Sequence, residues 1–184
     1  MSKILCSLLV ILLCSCTAGI KHNEDVRLSG YNFSIEFPEN WKRLDSKRFL
    51  IFTRENPFLQ YILVQQRPIG KSFRNTKRKI TRGMLPEEAA EVVLDEITLD
   101  RSVIDLHLVK NEPATVNQYD AFKLIFTYST RQGGNYRTIY YGMIRGDWFY
   151  SLRYNASRNH YSEADIEAFL KVLDSFTILN LDSS

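Results

Sequence analysis

Hydrophobic and polar positions in this chain alternate with the period of a β-strand over several stretches, and with that of an α-helix over two. Tyr31, Phe33, Ile35 and Phe37 alternate with Asn32, Ser34 and Glu36, and Pro38 ends the run. An apolar side chain at every second position is what a sheet with one buried face requires, so 31–37 is predicted as a half-buried strand. Two short β-prone runs, 49–52 and 61–64, flank the turn pair Asn56-Pro57. Residues 103–109 read as a further strand, with Ile104, Leu106 and Leu108 opposite Asp105 and His107. Three aromatic-rich strands follow at 119–128, 136–144 and 148–154. They are joined through Gly133-Gly134-Asn135 and Gly146-Asp147, residue types that accept the positive φ of tight hairpin turns. Two hairpins in an antiparallel meander are expected.

The helical stretches carry their own boundary signals. At 86–99 a proline opens the pattern, Glu87 and Glu88 occupy the positive end, and Ala89, Ala90, Val93, Leu94 and Ile97 repeat at helical spacing. From Ser162, whose hydroxyl can cap the first turn, Ile166, Phe169, Leu170, Leu173 and Phe176 form one apolar stripe that should lie across the sheet. Runs of strands with two separated helices predict one α+β domain, an antiparallel sheet covered by helices. No internal repeat divides it.

Composition adds a compartment. The chain has 184 residues, 45% of them hydrophobic, enough to bury a core in a single domain, and all three cysteines fall within the first sixteen positions. Lys3 precedes an apolar run over 4–13, too short to cross a bilayer as a mature helix, and Leu13-Cys14-Ser15-Cys16 closes it. This quartet resembles a bacterial lipobox. That resemblance implies a signal peptide over 1–15, a diacylglycerol thioether on Cys16 and cleavage before it; small residues ahead of Cys16 let the peptidase reach the bond. The plain alternative is an ordinary secretory signal with a cysteine near its cleavage site by chance. With the leader removed and Cys16 capped, no thiol is left to form a disulfide, and packing alone must hold the domain. Residues 16–29 then read as the lipidated cysteine and a polar tether, spanning roughly 20 Å as a flexible chain, 30–179 as the folded domain, and 180–184 as a polar end. By resemblance to Gram-negative lipoproteins, Thr17 rather than Asp after the cysteine implies the outer membrane, with the domain facing the periplasm.

The domain itself resembles a known family. Gly30-Tyr31-Asn32-Phe33-Ser34-Ile35 with Phe37-Pro38-Glu39-Asn40-Trp41 is similar to the opening of PsbP-like domains, named for an extrinsic subunit of photosystem II. Gly146-Asp147-Trp148-Phe149-Tyr150-Ser151-Leu152, then Tyr154-Asn155-Ala156-Ser157, and a helix closing in Ser175-Phe176 are similar to their end. The resemblance covers most of 30–178 and implies a PsbP-like α/β/α sandwich. Members are mostly docking or accessory proteins, including photosystem subunits, a Ran-GTPase-binding protein and bacterial lipoproteins. Its motifs mark core and turns, and it brings no catalytic site to carry over.

Charge singles out one stretch. The formal net charge is only +3, yet Arg67, Lys71, Arg74, Lys77, Arg78, Lys79 and Arg82 occur within sixteen residues that contain no acid, so the remainder of the chain is net acidic. On a membrane-tethered domain such a loop suits anionic headgroups, at about 1 kcal/mol per basic side chain near the surface, or an acidic protein partner. It reads equally as a solvated connection. Nucleic acid is not expected as a partner of a near-neutral chain outside the cytoplasm. His22, His107 and His160 share no metal-binding spacing, so neither a metal nor a cofactor is expected. The sequence contains no G-x-S-x-G elbow, Walker loop or G-x-G-x-x-G. Tyr136, Tyr140, Tyr141, Trp148, Tyr150 and Tyr154 suit either a recognition groove or sheet core. The expected function is therefore docking by a lipid-anchored envelope protein. A hydrolase with an unrecognised site and a carrier of a lipid or other apolar ligand are the alternatives.

Overall fold

The computed structural model describes residues 30–44 and 49–179. Seven of its strands form one antiparallel sheet: β2 (Lys42–Leu44), β3 (Leu50–Thr53), β4 (Gln60–Pro68), β5 (Val103–Val116), β6 (Tyr119–Thr130), β7 (Asn135–Arg145) and β8 (Trp148–Ser157). They lie in the order β2-β3-β4-β8-β7-β6-β5. The last four make the predicted meander with one strand more than expected. A two-stranded ribbon, β1 (Phe33–Ser34) with β9 (Thr177–Ile178), brings the two ends of the domain together. The alternating row at 31–37 does bury Phe33 and Ile35, but only two of its residues are strand, because β9 offers no longer partner.

Helix α1 (Pro86–Thr98) starts where the sequence places it. Its third residue, Glu88, accepts a hydrogen bond from the Leu85 backbone N–H (2.8 Å), which leaves one fewer unpaired donor in the first turn. It packs Ala89, Ala90, Val92 and Val93 onto β5, β6 and β7, against Phe122, Leu124, Phe126, Tyr140 and Phe149. Helix α2 (Glu163–Ser175) covers the opposite face, mainly at β8; Ser162 Oγ caps it by accepting from the Asp165 N–H (3.3 Å). Phe169, Val172 and Leu173 point inward from α2, whereas Leu170, expected in the same stripe, is 43% exposed. The helices are offset, so each leaves part of its face of the sheet uncovered.

The strand expected at 103–109 differs most. β5 runs on to Val116, and Ile104, Leu108 and Val109 are exposed rather than facing the core. Register shifts between Ile104 and His107 and between Leu108 and Lys110 break the two-residue alternation, and Asp105 takes a positive φ of 52°. Such bulges suit an edge strand, which also tolerates Pro113 because one side of its backbone needs no partner.

Of the six aromatics that suit either a groove or core, Tyr140, Tyr141, Tyr150 and Tyr154 are buried, and Tyr136 and Trp148 are half-buried. Burial pushes the Tyr150 hydroxyl up to about 12, eased by its hydrogen bond to Asn32 Oδ1 (3.0 Å), and pushes Tyr128 and Tyr154 up further. A phenol held above its unfolded value of 10 favours the folded state at and below that value and loses that advantage as pH rises from 10 towards the folded value. Cooperative alkaline unfolding above pH 10, with tyrosinate absorbance appearing in step with loss of circular dichroism, is the expected result. Free titration of every tyrosine in a folded chain would contradict this packing.

Candidate functional site

The seven basic residues fall at the end of β4 and in the ordered loop that joins it to α1. Gly70 N–H donates to Ile80 O (2.7 Å) and Phe73 N–H to Arg78 O (2.8 Å), so the segment closes on itself, and Ile80 is buried against α1. Glu96 on α1 anchors its tip by accepting from the backbone N–H groups of Asn75 and Thr76 at 2.8 to 3.0 Å and from the Thr76 hydroxyl. Lys77 adopts a positive φ of 61° at the turn.

This geometry divides the cations. Arg67 stacks over the Phe73 ring (4.4 Å) and donates to the carbonyls of Lys71 and Ser72; burial holds its guanidinium below the ordinary value, opposed by Glu96 and Tyr140. Arg78 pairs with Asp95 of α1, and Arg82 with Asp147 in the β7–β8 turn. Lys71, Arg74, Lys77 and Lys79 are exposed and make no ion pair with a described acid, although the Lys77 ammonium donates to Arg74 O (2.7 Å) and Arg74 acts on the Asp100 carboxyl from a distance. The loop is therefore a fixed platform with four of its seven cations outside ion pairs. Beside it, α1 exposes Glu87, Glu88 and Glu91, so the charge is local to the loop.

The loop begins at the end of the sheet from which the described chain starts. Gln66, near the end of β4, accepts from Asn32 N–H (2.9 Å) and donates to Gly30 O (3.1 Å), while Ile69 N–H donates to Asp147 O (3.0 Å). Cys16 and the tether lie outside the described residues, as do 180–184.

Two cavities lie towards the other end, one on each face. On the α1 side a space of about 360 Å³ is lined by Arg153, Tyr61, Thr138, Asn155, Glu96 and Asp100 and is reached by Asn75 at the tip of the basic loop. Asn155 Oδ1 accepts from Thr138 (2.7 Å) and Tyr128 (3.1 Å), and hydrogen bonds from Ser102 hold the Asp100 carboxyl below the usual range. On the α2 side a space of about 490 Å³ lies among Thr127, Ser129, Arg137, Arg158 and Tyr161. None of these arginines stands out in the pattern of the sequence. The available signal was a charged residue inside an aromatic strand, Arg137 in β7 and Arg153 in β8.

Among the described residues the histidines do not build a reactive centre. His107 is exposed on β5. His160 Nδ1 lies 2.9 Å from Ser157 Oγ, but the two are the N-cap and last residue of a single 3₁₀ turn, Arg158–His160, and the contact closes that turn. Asp165, five residues after His160 in the sequence, has Arg54 Nε 2.7 Å from its Oδ1, although that N–H is not aligned on the oxygen.

No family model matches the sequence, and no curated protein is significantly similar to it. Solved structures are. The solution structure of cyanobacterial PsbP (CyanoP) from Synechocystis sp. PCC 6803 aligns over 80% of this chain and 86% of its own, at 10% identity and a TM-score of 0.55. The fold is PsbP-like. LpqN of Mycobacterium tuberculosis, described as involved in cell envelope biogenesis, shares the PsbP-like arrangement at 14% identity and a TM-score of 0.52, over 80% of this chain and 83% of its own. A structure from Bacteroides thetaiotaomicron VPI-5482 aligns over 83% of this chain at 12% identity and a TM-score of 0.50, and this chain spans about half of it, 47%. The sandwich implied by the sequence resemblance is thus the observed fold. At these identities the likeness extends to fold alone.

Proposed function

We propose that this protein is a lipid-anchored component of a bacterial cell envelope, held through Cys16, that docks anionic surface through its basic loop: headgroups of the membrane it is tethered to, or an acidic face of an envelope partner. The observation that carries the reading is the rooting of the fixed loop at the end of the sheet where Gly30 lies, with Ile69 and Arg82 both on Asp147, so a tether of about thirteen residues brings the cations near those roots, Lys71 and Lys79, to the headgroups while the loop's tip runs on to Glu96. The lipobox-like quartet of 13–16 and the involvement of LpqN, which shares the fold, in cell envelope biogenesis support it. No described helix is long and apolar enough to cross a membrane. A docking role also suits the sheet, whose two faces carry the aromatic and aliphatic clusters under α1 and α2.

Co-sedimentation of the chain lacking its leader and lipid, with phosphatidylcholine vesicles and with vesicles containing phosphatidylglycerol, tests this. Binding should require the anionic lipid and weaken with salt. Lys71→Glu, Lys77→Glu and Lys79→Glu together, with the ion-paired Arg78 and Arg82 left in place, should weaken it roughly a hundredfold at about 1 kcal/mol for each lost basic contact. Equal binding by the triple variant would exclude the loop as the contact.

A further inference from the structure

We propose that the cavity on the α2 side is a binding site for a small organic anion, a carboxylate or phosphate group carried on a body of about one ring, with Arg137 and Arg158 as its anion-holding residues. Helix α2 packs at β8, and this leaves the same face of β5, β6 and β7 open towards the β6–β7 hairpin. The cavity of about 490 Å³ occupies that opening, a volume in the range of small-molecule sites.

Its electrostatics ask for an anion. Several other cations of the described structure meet acids: Arg54 with Asp165, Arg78 with Asp95, Arg82 with Asp147, Lys123 with Glu112 at 3.2 Å. Arg137 and Arg158 pair with no described acid. Arg137 sits half-buried in a central strand with its guanidinium 4.8 Å over the Tyr161 ring, and its Nε is shielded from solvent without a hydrogen-bond partner. A guanidinium held partly out of water with neither counter-ion nor full hydrogen bonding is costly, and an oxyanion matching its planar fork supplies both. Asp105 is the one carboxylate lining the cavity, and Glu163 and Lys123 act on Tyr161 from beside it, so the two guanidinia leave the site cationic.

The remaining walls suit an uncharged body. Tyr161 closes one side under Arg137, giving flat amphipathic surface. The Thr127 and Ser129 hydroxyls supply polar contacts; Ser129 already donates to Asn135 Oδ1 (2.8 Å) and retains acceptor capacity. The cavity on the α1 side does not share this preference, because Glu96 and Asp100 oppose Arg153 within its walls.

Titration of the mature chain with phenyl phosphate, benzoate and the neutral benzyl alcohol, followed by calorimetry and backbone amide shifts, tests the site. At least one anion should bind saturably, at least tenfold more tightly than benzyl alcohol, with shifts confined to the cavity walls. Binding of phenyl phosphate alone, of benzoate alone or of both identifies the preferred group. Arg137→Gln and Arg158→Gln should each weaken it about tenfold, whereas Arg131→Gln, a neighbouring hairpin residue outside the cavity, should not. Arg158 is exposed on a short turn, so its variant keeps the test decisive if Arg137→Gln fails to fold, and Arg137→Lys, which keeps charge but loses the fork, should fall between. Failure of both anions to bind, equal binding of benzyl alcohol, or affinity indifferent to Arg158→Gln would overturn the proposal.

Discussion

Truncating Phe176 to alanine is expected to lower the unfolding free energy by about 3–5 kcal/mol, a large fraction of the roughly 5–15 kcal/mol that holds a domain folded. The ring is fully buried where α2 ends and joins elements that are far apart in the chain. It stacks on Phe33 of β1 at 5.3 Å, meets Tyr150 of β8 at 5.5 Å and faces the edge of Tyr119 of β6 at 6.3 Å. Its carbonyl accepts from Asn117 Nδ2 (3.1 Å), and two residues on, the Ile178 N–H donates to the Tyr119 hydroxyl (3.2 Å). Removing the ring leaves a cavity bounded by a sheet, a helix and a ribbon that cannot all close inward together. No disulfide is available to limit the loss, since the three cysteines precede residue 17. Chemical denaturation measures the effect. A loss below about 1 kcal/mol would mean that this aromatic cluster does not hold α2 and the terminal ribbon to the sheet.

Replacing Cys16 by alanine is expected to move the protein from the membrane to the soluble fraction. Each buried methylene of an acyl chain contributes about 0.8 kcal/mol, so two or three chains anchor firmly where the loop's cations alone, at about 1 kcal/mol each, bind reversibly. The loop should therefore leave the Cys16→Ala form with weak, salt-sensitive association, not with retention. Cys14→Ala, which keeps a small residue ahead of the acceptor, should fractionate as the native chain does. A Cys16→Ala form that stays with membranes at high salt would remove the lipid anchor from the account.

Local signals made the helices legible. Pro86, the glutamates after it and Ser162 act within one turn of their own positions, and α1 and α2 begin where those residues place them. The meander was legible for the same reason, since Gly133 and Gly146 both adopt the positive φ their turns demand. Asn117, also at positive φ, joins β5 to β6, but the polar run over 110–113 hid the strand before it, because an edge strand can carry such residues without cost to a core. The order of the basic loop was not legible. It rests on Glu96, some twenty residues downstream, accepting the Asn75 and Thr76 N–H groups, and on burial of Ile80 beneath α1. The cavity arginines were hidden in a similar way. Whether Arg137 faces solvent or a cavity depends on where α2 stops along β8, which no local pattern records.

The proposed docking fixes an orientation: the end of the domain where the basic loop is rooted, beside Gly30 and Asp147, faces anionic surface and the β6–β7 hairpin faces away. Photo-crosslinking in intact cells measures it, with a photoreactive residue in place of Ser72 in the basic loop or of Arg131 at the opposite hairpin, both exposed. The account predicts adducts with anionic lipid or with an acidic envelope protein from position 72, lost when Lys71, Lys77 and Lys79 are reversed to glutamate, and no lipid adduct from position 131. Lipid adducts from position 131, or none of either kind from position 72, would contradict it.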